Sequence, residues 1–180
     1  RKSGLFPEAP RALELAQVKT WLVQGDLQAA THWAASLQQR LGSDDQFMFE
    51  NELTYIAQAR VLIAQNSVNE AIEMLLRLEE TACSGHRMGR VIEILLLESL
   101  AMRRKGDFEA AIQALTKCLT LAEPQGYVRV FLDDGKPVQT LLAEWLAHAN
   151  PSSLRNYAVR LLSQFDTEPP VVTAAHVKVL

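Results

Sequence analysis

The chain has 180 residues, is 48% hydrophobic and carries a formal net charge of −3 at pH 7. This length and composition argue against disorder and allow a single domain with a buried core. The acidic balance argues against direct nucleic-acid contact, which normally requires a basic stripe. Apolar runs fall short of the roughly 18 residues that span a bilayer, and no secretory leader is visible. We therefore expect a cytoplasmic protein without membrane contact.

The first predicted elements are two helices that follow a short leader. Residues 1–9 show little periodicity, and we expect them to be that leader. Apolar residues then recur at helical spacing between Pro10 and Gly25, and again from Leu27 to Leu41. These two helices are predicted to form the first hairpin, residues 10–42.

The second hairpin is predicted over residues 46–84. Its first helix is expected to end at Gln65 and its second to begin at Ser67. Ser67 followed by Glu70 matches the capping-box pattern, in which each side chain accepts a hydrogen bond from the other residue's backbone N–H.

The third hairpin is predicted over residues 87–123. Its first helix is apolar almost all round and is therefore expected to be buried on most sides. Gly106 can take the left-handed conformation that ends a helix, and the Asp107 carboxylate can cap the helix that follows.

The three turns repeat with a period of about 40 residues, which is typical of stacked helical hairpins. Gly25, Asn66 and Gly106 hold the equivalent turn position, and asparagine is the next best residue for a left-handed cap. A small residue follows each turn where the paired helices would cross: Ala30, Ala71 and Ala111. The sequence therefore predicts an all-α fold, a right-handed superhelix of stacked antiparallel helical hairpins, as one domain over residues 10–166.

The C-terminal part departs from the repeat. Residues 127–135 are ambiguous, because Val128 and Val130 alternate as in a strand, but an all-helical array offers no sheet to join. We favour a short helix ending at Gly135. Two further helices are predicted to close the array by residue 165, and residues 167–180 to form a linker or tail.

No catalytic or metal-binding pattern is visible. The four histidines stand apart from one another, and no phosphate-binding loop or nucleophile elbow is present. Cys83 and Cys118 are expected to be buried free thiols. The Asp133–Asp134 pair, like other adjacent acids in the chain, is expected to be a solvated cap rather than an acid–base site. We predict no enzyme activity.

Two resemblances follow from these residues. The hairpins resemble tetratricopeptide repeats, because Leu95, Ser99, Gly106 and Ala111 lie near the spacing of that motif. The run Ala-Glu-Pro-Gln-Gly-Tyr-Val-Arg that starts at Ala122 is more specific. With it, the stretch over residues 10–166 resembles the sensor region of the MalT family, the large ATP-dependent LuxR-type transcription regulators.

The resemblance to that family implies a function. In the family, such a region lies between an N-terminal nucleotide-binding domain and a C-terminal LuxR-type helix-turn-helix. The chain would then sense a small-molecule inducer and shift the full regulator from an autoinhibited monomer to a DNA-binding oligomer, which implies self-association. No cofactor is expected in this fragment, and ATP is expected in the missing N-terminal domain. The alternative is a generic scaffold that binds a peptide or a partner protein.

The repeat register predicts which side chains face the concave surface. Carrying it along the first helices points four charges inward, namely Lys19, Arg60, Glu93 and Arg103, and places Glu52 and Arg90 near the same rim. Tyr55 is expected to offer either packing or a ring face to a ligand. These seven residues are the candidate set for ligand or partner binding. The alternative is that these charges pair across adjacent repeats and only hold the superhelix together. If Arg60 binds a ligand, its truncation is expected to weaken the inducer response and spare the melting temperature.

Overall fold

The computed structural model describes residues 8–41, 51–148 and 153–165. These ranges contain nine α-helices and no strand: α1 (Glu8–Gln24), α2 (Leu27–Leu41), α3 (Glu52–Ala64), α4 (Val68–Ser84), α5 (Met88–Lys105), α6 (Phe108–Ala122), α7 (Arg129–Leu132), α8 (Lys136–His148) and α9 (Ser153–Phe165). The predicted all-α repeat fold is confirmed. Most of the predicted leader, the loop around Asp44 and the tail 167–180 lie outside the described residues.

Consecutive helices pair into hairpins, and the hairpins stack. The helix α3 packs against α1 and α4, and α5 packs against both α4 and α6. The last two helices repeat this arrangement, since α8 contacts α5 and α9 contacts α6. The pair α8–α9 therefore forms a fourth stacked hairpin. The first helices of the four hairpins are α1, α3, α5 and α8.

The three predicted turns adopt the left-handed conformation that their sequences indicated. The φ angle is 76° at Gly25, 66° at Asn66 and 90° at Gly106. At the third turn, the Gly106 N–H donates to the Arg103 carbonyl (3.2 Å) and the Asp107 N–H to the Met102 carbonyl (3.0 Å). These bonds satisfy carbonyls that the end of the helix would otherwise leave without partners.

The helix caps follow the sequence in part. Asp107 caps α6 as predicted, because its Oδ1 accepts a hydrogen bond from the Ala110 N–H (3.0 Å). The capping box predicted at Ser67 is wrong, since the Ser67 side chain makes no capping hydrogen bond. The Ser67 N–H, which Glu70 was expected to bind, already donates to the Leu62 carbonyl (2.9 Å).

The core runs along α5, which is covered on both sides by α4 and α6. Its apolar residues Val91, Ile92, Ile94, Leu95, Leu96 and Leu97 are buried, as its all-round apolar sequence predicted. The three crossing alanines are fully buried as well: Ala30, Ala71 and Ala111. A core of this shape depends on small residues wherever paired helices approach each other.

The two cysteines lie in different environments. The Cys118 thiol is buried and donates to the Ile92 carbonyl (Sγ to O, 3.3 Å), and burial raises its pKa. Cys83 is exposed, so the prediction that it is buried is wrong. The buried face of α4 ends at Ala82, and the next residue is rotated about 100° away from that face.

Between the third and fourth hairpins the chain makes the short helix α7. The prediction of a helix within residues 127–135 agrees with the structure, and Gly135 follows it with φ 63°. Phe131 of α7 is buried and meets Tyr157 of α9 edge-to-face, with 6.1 Å between ring centroids. The Tyr157 hydroxyl donates to the Tyr127 carbonyl. These contacts anchor residues 127–135, hereafter the α7 segment, to the last hairpin.

One carboxyl group is buried away from the concave face. Glu98 of α5 is 6% exposed, and its Oε1 has no hydrogen-bond partner among the described residues. Burial and the neighbouring charge of Glu79 raise the pKa of Glu98 to about 7, although Lys117 opposes the shift. Ionising this group in the folded protein is therefore unfavourable.

Replacing Ala111 by leucine should destabilise the third hairpin. The added side chain has no room at the crossing of α5 and α6, so the free energy of unfolding should fall by about 1–3 kcal/mol. Urea unfolding measures the change. Ala143 of α8 is exposed and serves as the matched control, where the same substitution should have little effect. Equal free energies of unfolding for the two variants would show that Ala111 does not lie at a tight crossing of α5 and α6.

Replacing Glu98 by glutamine should stabilise the protein at pH 8 and have little effect at pH 4.5. The folded protein retains this proton between the usual glutamate pKa, near 4.5, and about 7. The free energy of unfolding therefore falls as the pH rises through that window. The pKa shift sets the size of the loss, up to about a few kcal/mol. Melting temperatures from pH 4.5 to pH 8 test this, with the exposed Glu80→Gln as control. If the difference in melting temperature between Glu98→Gln and the wild type is the same at every pH, the proposed pH dependence of Glu98 is wrong.

Candidate functional site

The first helices α1, α3 and α5 curve around one face. Lys19 lies on α1 and Glu93 on α5, with α3 between them, yet the Lys19 Nζ is 3.6 Å from Glu93 Oε1. Arg60 of α3 reaches the same glutamate. The side chains of three hairpins therefore converge on a common concave face, as the repeat register predicted for these residues.

Arg60 is the centre of this face. Its guanidinium donates to both oxygens of Asp134, from Nε to Oδ1 at 3.0 Å and from Nη2 to Oδ2 at 2.9 Å. Nη2 also lies 3.1 Å from Glu93 Oε1, and the Arg60 side chain is only 3% exposed. Burial alone would lower the pKa of Arg60, but Asp134 and Glu93 raise it above the usual arginine value. The charge is retained in the interior because two carboxylates bind it.

Glu93 joins three hairpins through its two oxygens. Oε1 contacts Lys19 and Arg60, and Oε2 accepts a hydrogen bond from Arg90 Nη1 at 3.0 Å. Burial opposes the charged form of Glu93, but the charges of Arg60, Lys19 and Arg90 outweigh it and hold the pKa of Glu93 below its usual value. Glu93 therefore stays ionised at neutral pH.

A second ion pair lies near the start of α3 and α5. Arg87 donates to Glu52 from Nη2 at 2.7 Å and from Nε at 3.1 Å, and to the Thr81 carbonyl at 3.0 Å. Arg90 Nε lies 3.7 Å from the other oxygen of Glu52. The buried Glu52 thus connects the second hairpin to the third.

A third ion pair joins the third hairpin to the fourth. Arg103 of α5 and Glu144 of α8 form two hydrogen bonds of 2.7 Å each. The Arg103 side chain is 44% exposed, so solvent screens this pair more than the pairs around Arg60. The hydrogen bond from Arg103 lowers the pKa of Glu144.

Within the described ranges, two cavities open on the concave face. The first, here called the α8 cavity, has a volume of about 580 Å³ and is lined by α1, α3, α5, the turn 133–137 and α8. The second, here called the α7 cavity, has a volume of about 590 Å³ and is lined by α1, the starts of α3 and α5, and the α7 segment. Lys19 and Asp133 line both cavities and lie 3.6 Å apart. Their ion pair therefore stands at the boundary between the two.

The structure divides the predicted site residues between these cavities. Lys19, Arg60 and Arg103 line the α8 cavity, whereas Glu52, Arg90 and Glu93 line the α7 cavity with Lys19. Tyr55 is buried and lines neither. The pairs from Lys19 and Arg60 to Glu93 are the cross-repeat pairs that the alternative interpretation described. A role of these residues in ligand binding stays a prediction.

Sequence reasoning missed the residues that the C-terminal part supplies. Asp133 and Asp134 come from the α7 segment and Glu144 from α8, and none of them was assigned to the site. The expectation of a solvated cap is wrong for Asp134, whose side chain is 11% exposed and holds Arg60. The only available signal was an acidic pair after an irregular segment, which does not reveal a distant arginine.

Other classes of site find no support in the described part of the chain. No group of three or more His, Cys, Asp or Glu side chains there is placed to hold a metal ion. None of the helices there combines the length and the apolar character needed to cross a bilayer.

The stacked hairpins and their concave ion pairs define an all-α array of tetratricopeptide-like repeats. A comparison with protein families matches residues 2–148 to the MalT-like TPR region. The chain therefore belongs to the MalT-like TPR region family. Comparison with the curated proteins gives no match.

Replacing Arg60 by alanine should strongly destabilise the protein. The sequence alone predicted that this truncation leaves the melting temperature nearly unchanged. Because Arg60 is buried, we now expect the opposite: the variant leaves Asp134 and Glu93 without their shared partner. Loss of one member of a buried ion pair typically costs about 3–5 kcal/mol. Urea unfolding measures the loss, and the exposed Arg103→Ala is the matched control, with a much smaller expected change. Similar midpoints for the two variants would show that Arg60 does not hold the array together.

Proposed function

We propose that this chain is the ligand-sensing and protein-interaction region of a LuxR-type transcription activator. Binding of a small-molecule inducer would be coupled to self-association of the regulator and to transcription. The family membership supports the broader part of this proposal, a sensor or protein-interaction role. The observation that carries the finer part is the α8 cavity, because the first helix of every hairpin lines it.

A ligand in the α8 cavity would contact the whole array at once. Leu22 of α1, Ile63 of α3, Leu100 of α5 and Leu141 of α8 line the same space. The curvature of a repeat array is the sum of small rotations between neighbouring hairpins. A ligand that fits one curvature better than another therefore shifts the population toward it. Such a shift would change the relative orientation of the two ends of the array when the ligand binds.

The α7 segment favours a small molecule over a peptide. Asp133 binds Lys19 and Asp134 binds Arg60, so this segment lies across the concave face and divides it. A bound peptide would require a continuous groove, whereas each cavity has the volume of a small-molecule site, about 300–1,000 Å³. Mixed polar and apolar lining is also typical of such sites.

The remaining roles of the regulator would lie outside this region. We assign no cofactor to the chain and place ATP binding in a separate nucleotide-binding domain. DNA contact would belong to a helix-turn-helix domain, because the net charge of −3 gives this chain no general attraction to phosphate. A regulator of this kind acts in the cytoplasm.

A thermal-shift screen of small metabolites against the chain tests the proposal. A ligand at about 100 times its dissociation constant adds roughly 2.7 kcal/mol, which should raise the melting temperature by about 5–10 °C. Leu100→Trp fills the α8 cavity and should abolish the shift. Leu76→Trp, at an exposed position on α4, should retain it.

Light scattering of the wild-type chain with and without a ligand from the screen tests the coupling to self-association. An increase in mass on ligand addition is expected. A screen without any ligand, combined with peptide binding that Leu100→Trp leaves unchanged, would replace ligand sensing by the peptide-scaffold role.

A further inference from the structure

We propose that the ligand of the α8 cavity is an organic acid, with an anionic oxygen head group, carboxylate or phosphate, on an aliphatic body. This inference rests on the proposed function, because it names the class of molecule that the same cavity would sense. Three observations carry it: the uncompensated charges of the cavity, a buried donor in its wall, and the character of its apolar surface.

The charges that line the α8 cavity are unbalanced toward the basic side. All of its carboxylates have cationic partners: Asp133 pairs with Lys19 and Arg129, Asp134 with Arg60, and Glu144 with Arg103. A cationic ligand would therefore have to displace an existing ion pair.

Two cations of the same cavity lack such a partner. Arg104 and Lys136 line it, and neither forms an ion pair with a carboxylate of the described residues. Arg104 Nη1 donates instead to the Ile63 carbonyl at the end of α3, at 2.7 Å. Lys136 lies in the first turn of α8, which contains no acidic residue. The positive end of the helix dipole adds to its charge, so an anion would be favoured there.

The second observation is a donor without an acceptor. Arg60 lines the cavity, and its Nη1 is buried with no hydrogen-bond partner among the described residues. A buried donor of this kind is costly, and a head-group oxygen would satisfy it. The atom is closed to solvent in this arrangement, so the oxygen would reach it only after a small rearrangement of the cavity wall.

The third observation is the apolar surface. The side chains that cover most of the cavity wall are aliphatic: Leu22, Val23, Ile63, Leu97, Leu100 and Leu141. Among the described residues, no aromatic side chain lines this cavity, so the wall offers no ring for stacking. An alkyl chain would gain free energy from burial against these residues, in proportion to the area removed from water.

Isothermal titration of the chain with octanoate, octyl phosphate and octanamide tests the class. The three probes share an alkyl chain and differ in the head group. We expect saturable one-to-one binding of octanoate or octyl phosphate, and at least about tenfold weaker binding of the neutral amide, because a hydrogen bond to a charged group is worth more than a neutral one. The stronger of the two acids identifies the head group as carboxylate or phosphate.

The Arg104→Met/Lys136→Met double variant tests the role of the two cations. It should weaken binding of the acids by more than about threefold, since each exposed charge contributes a modest amount, and leave octanamide binding unchanged. Lys105→Met is the matched control, because Lys105 is exposed on the same helix end but does not line the cavity. Arg60→Lys retains one positive charge, removes the buried donor, and should also weaken the acids, with circular dichroism as the check of folding.

Equal affinities for octanoate and octanamide, or an unchanged affinity in the Arg104→Met/Lys136→Met variant, would overturn the inference. Absence of binding by both acids would overturn it as well. In each case the proposed function survives if a neutral or cationic metabolite binds the chain and Leu100→Trp abolishes that binding. The proposed function itself is wrong if no small molecule shows binding that the Leu100→Trp substitution blocks.

Discussion

The buried guanidinium of Arg60 sets the constraint on which the concave face depends. An arginine at 3% side-chain exposure is tolerated only with carboxylates at hydrogen-bonding distance, and Asp134 and Glu93 supply them. Glu93 comes from the next hairpin and Asp134 from beyond the third. One side chain therefore fixes the position of α3 relative to α5 and of the α7 segment relative to both.

The two cavities follow from that constraint. In a regular array a short turn would join α6 to the next hairpin and leave the concave face open along its length. Here the α7 segment is inserted at that point, anchored on one side by Phe131 against Tyr157 and on the other by Asp133 and Asp134. The concave face is thereby divided, and each part is small enough to suit a small molecule.

The ion pairs of this face join neighbouring hairpins and border the two cavities. The buried pairs around Arg60 and Glu93 hold the first three hairpins, whereas the exposed pair between Arg103 and Glu144 joins the fourth hairpin under solvent screening. The fourth hairpin is thus held at this edge by the weaker kind of contact. The ligand proposed for the α8 cavity would most readily change the distance between α5 and α8, which both line that cavity.

The sequence by itself determined the repeat and its local details. Two features were predictable because they depend on neighbours within a few residues. These are the left-handed turns at Gly25, Asn66 and Gly106 and the alanine at each crossing. The inward direction of Lys19 and Arg60 followed from the same helical register. Only the tertiary structure decided which charges are buried and where the cavities lie. The partners Arg60 and Asp134 are 74 residues apart, and no local pattern specifies a contact over that distance.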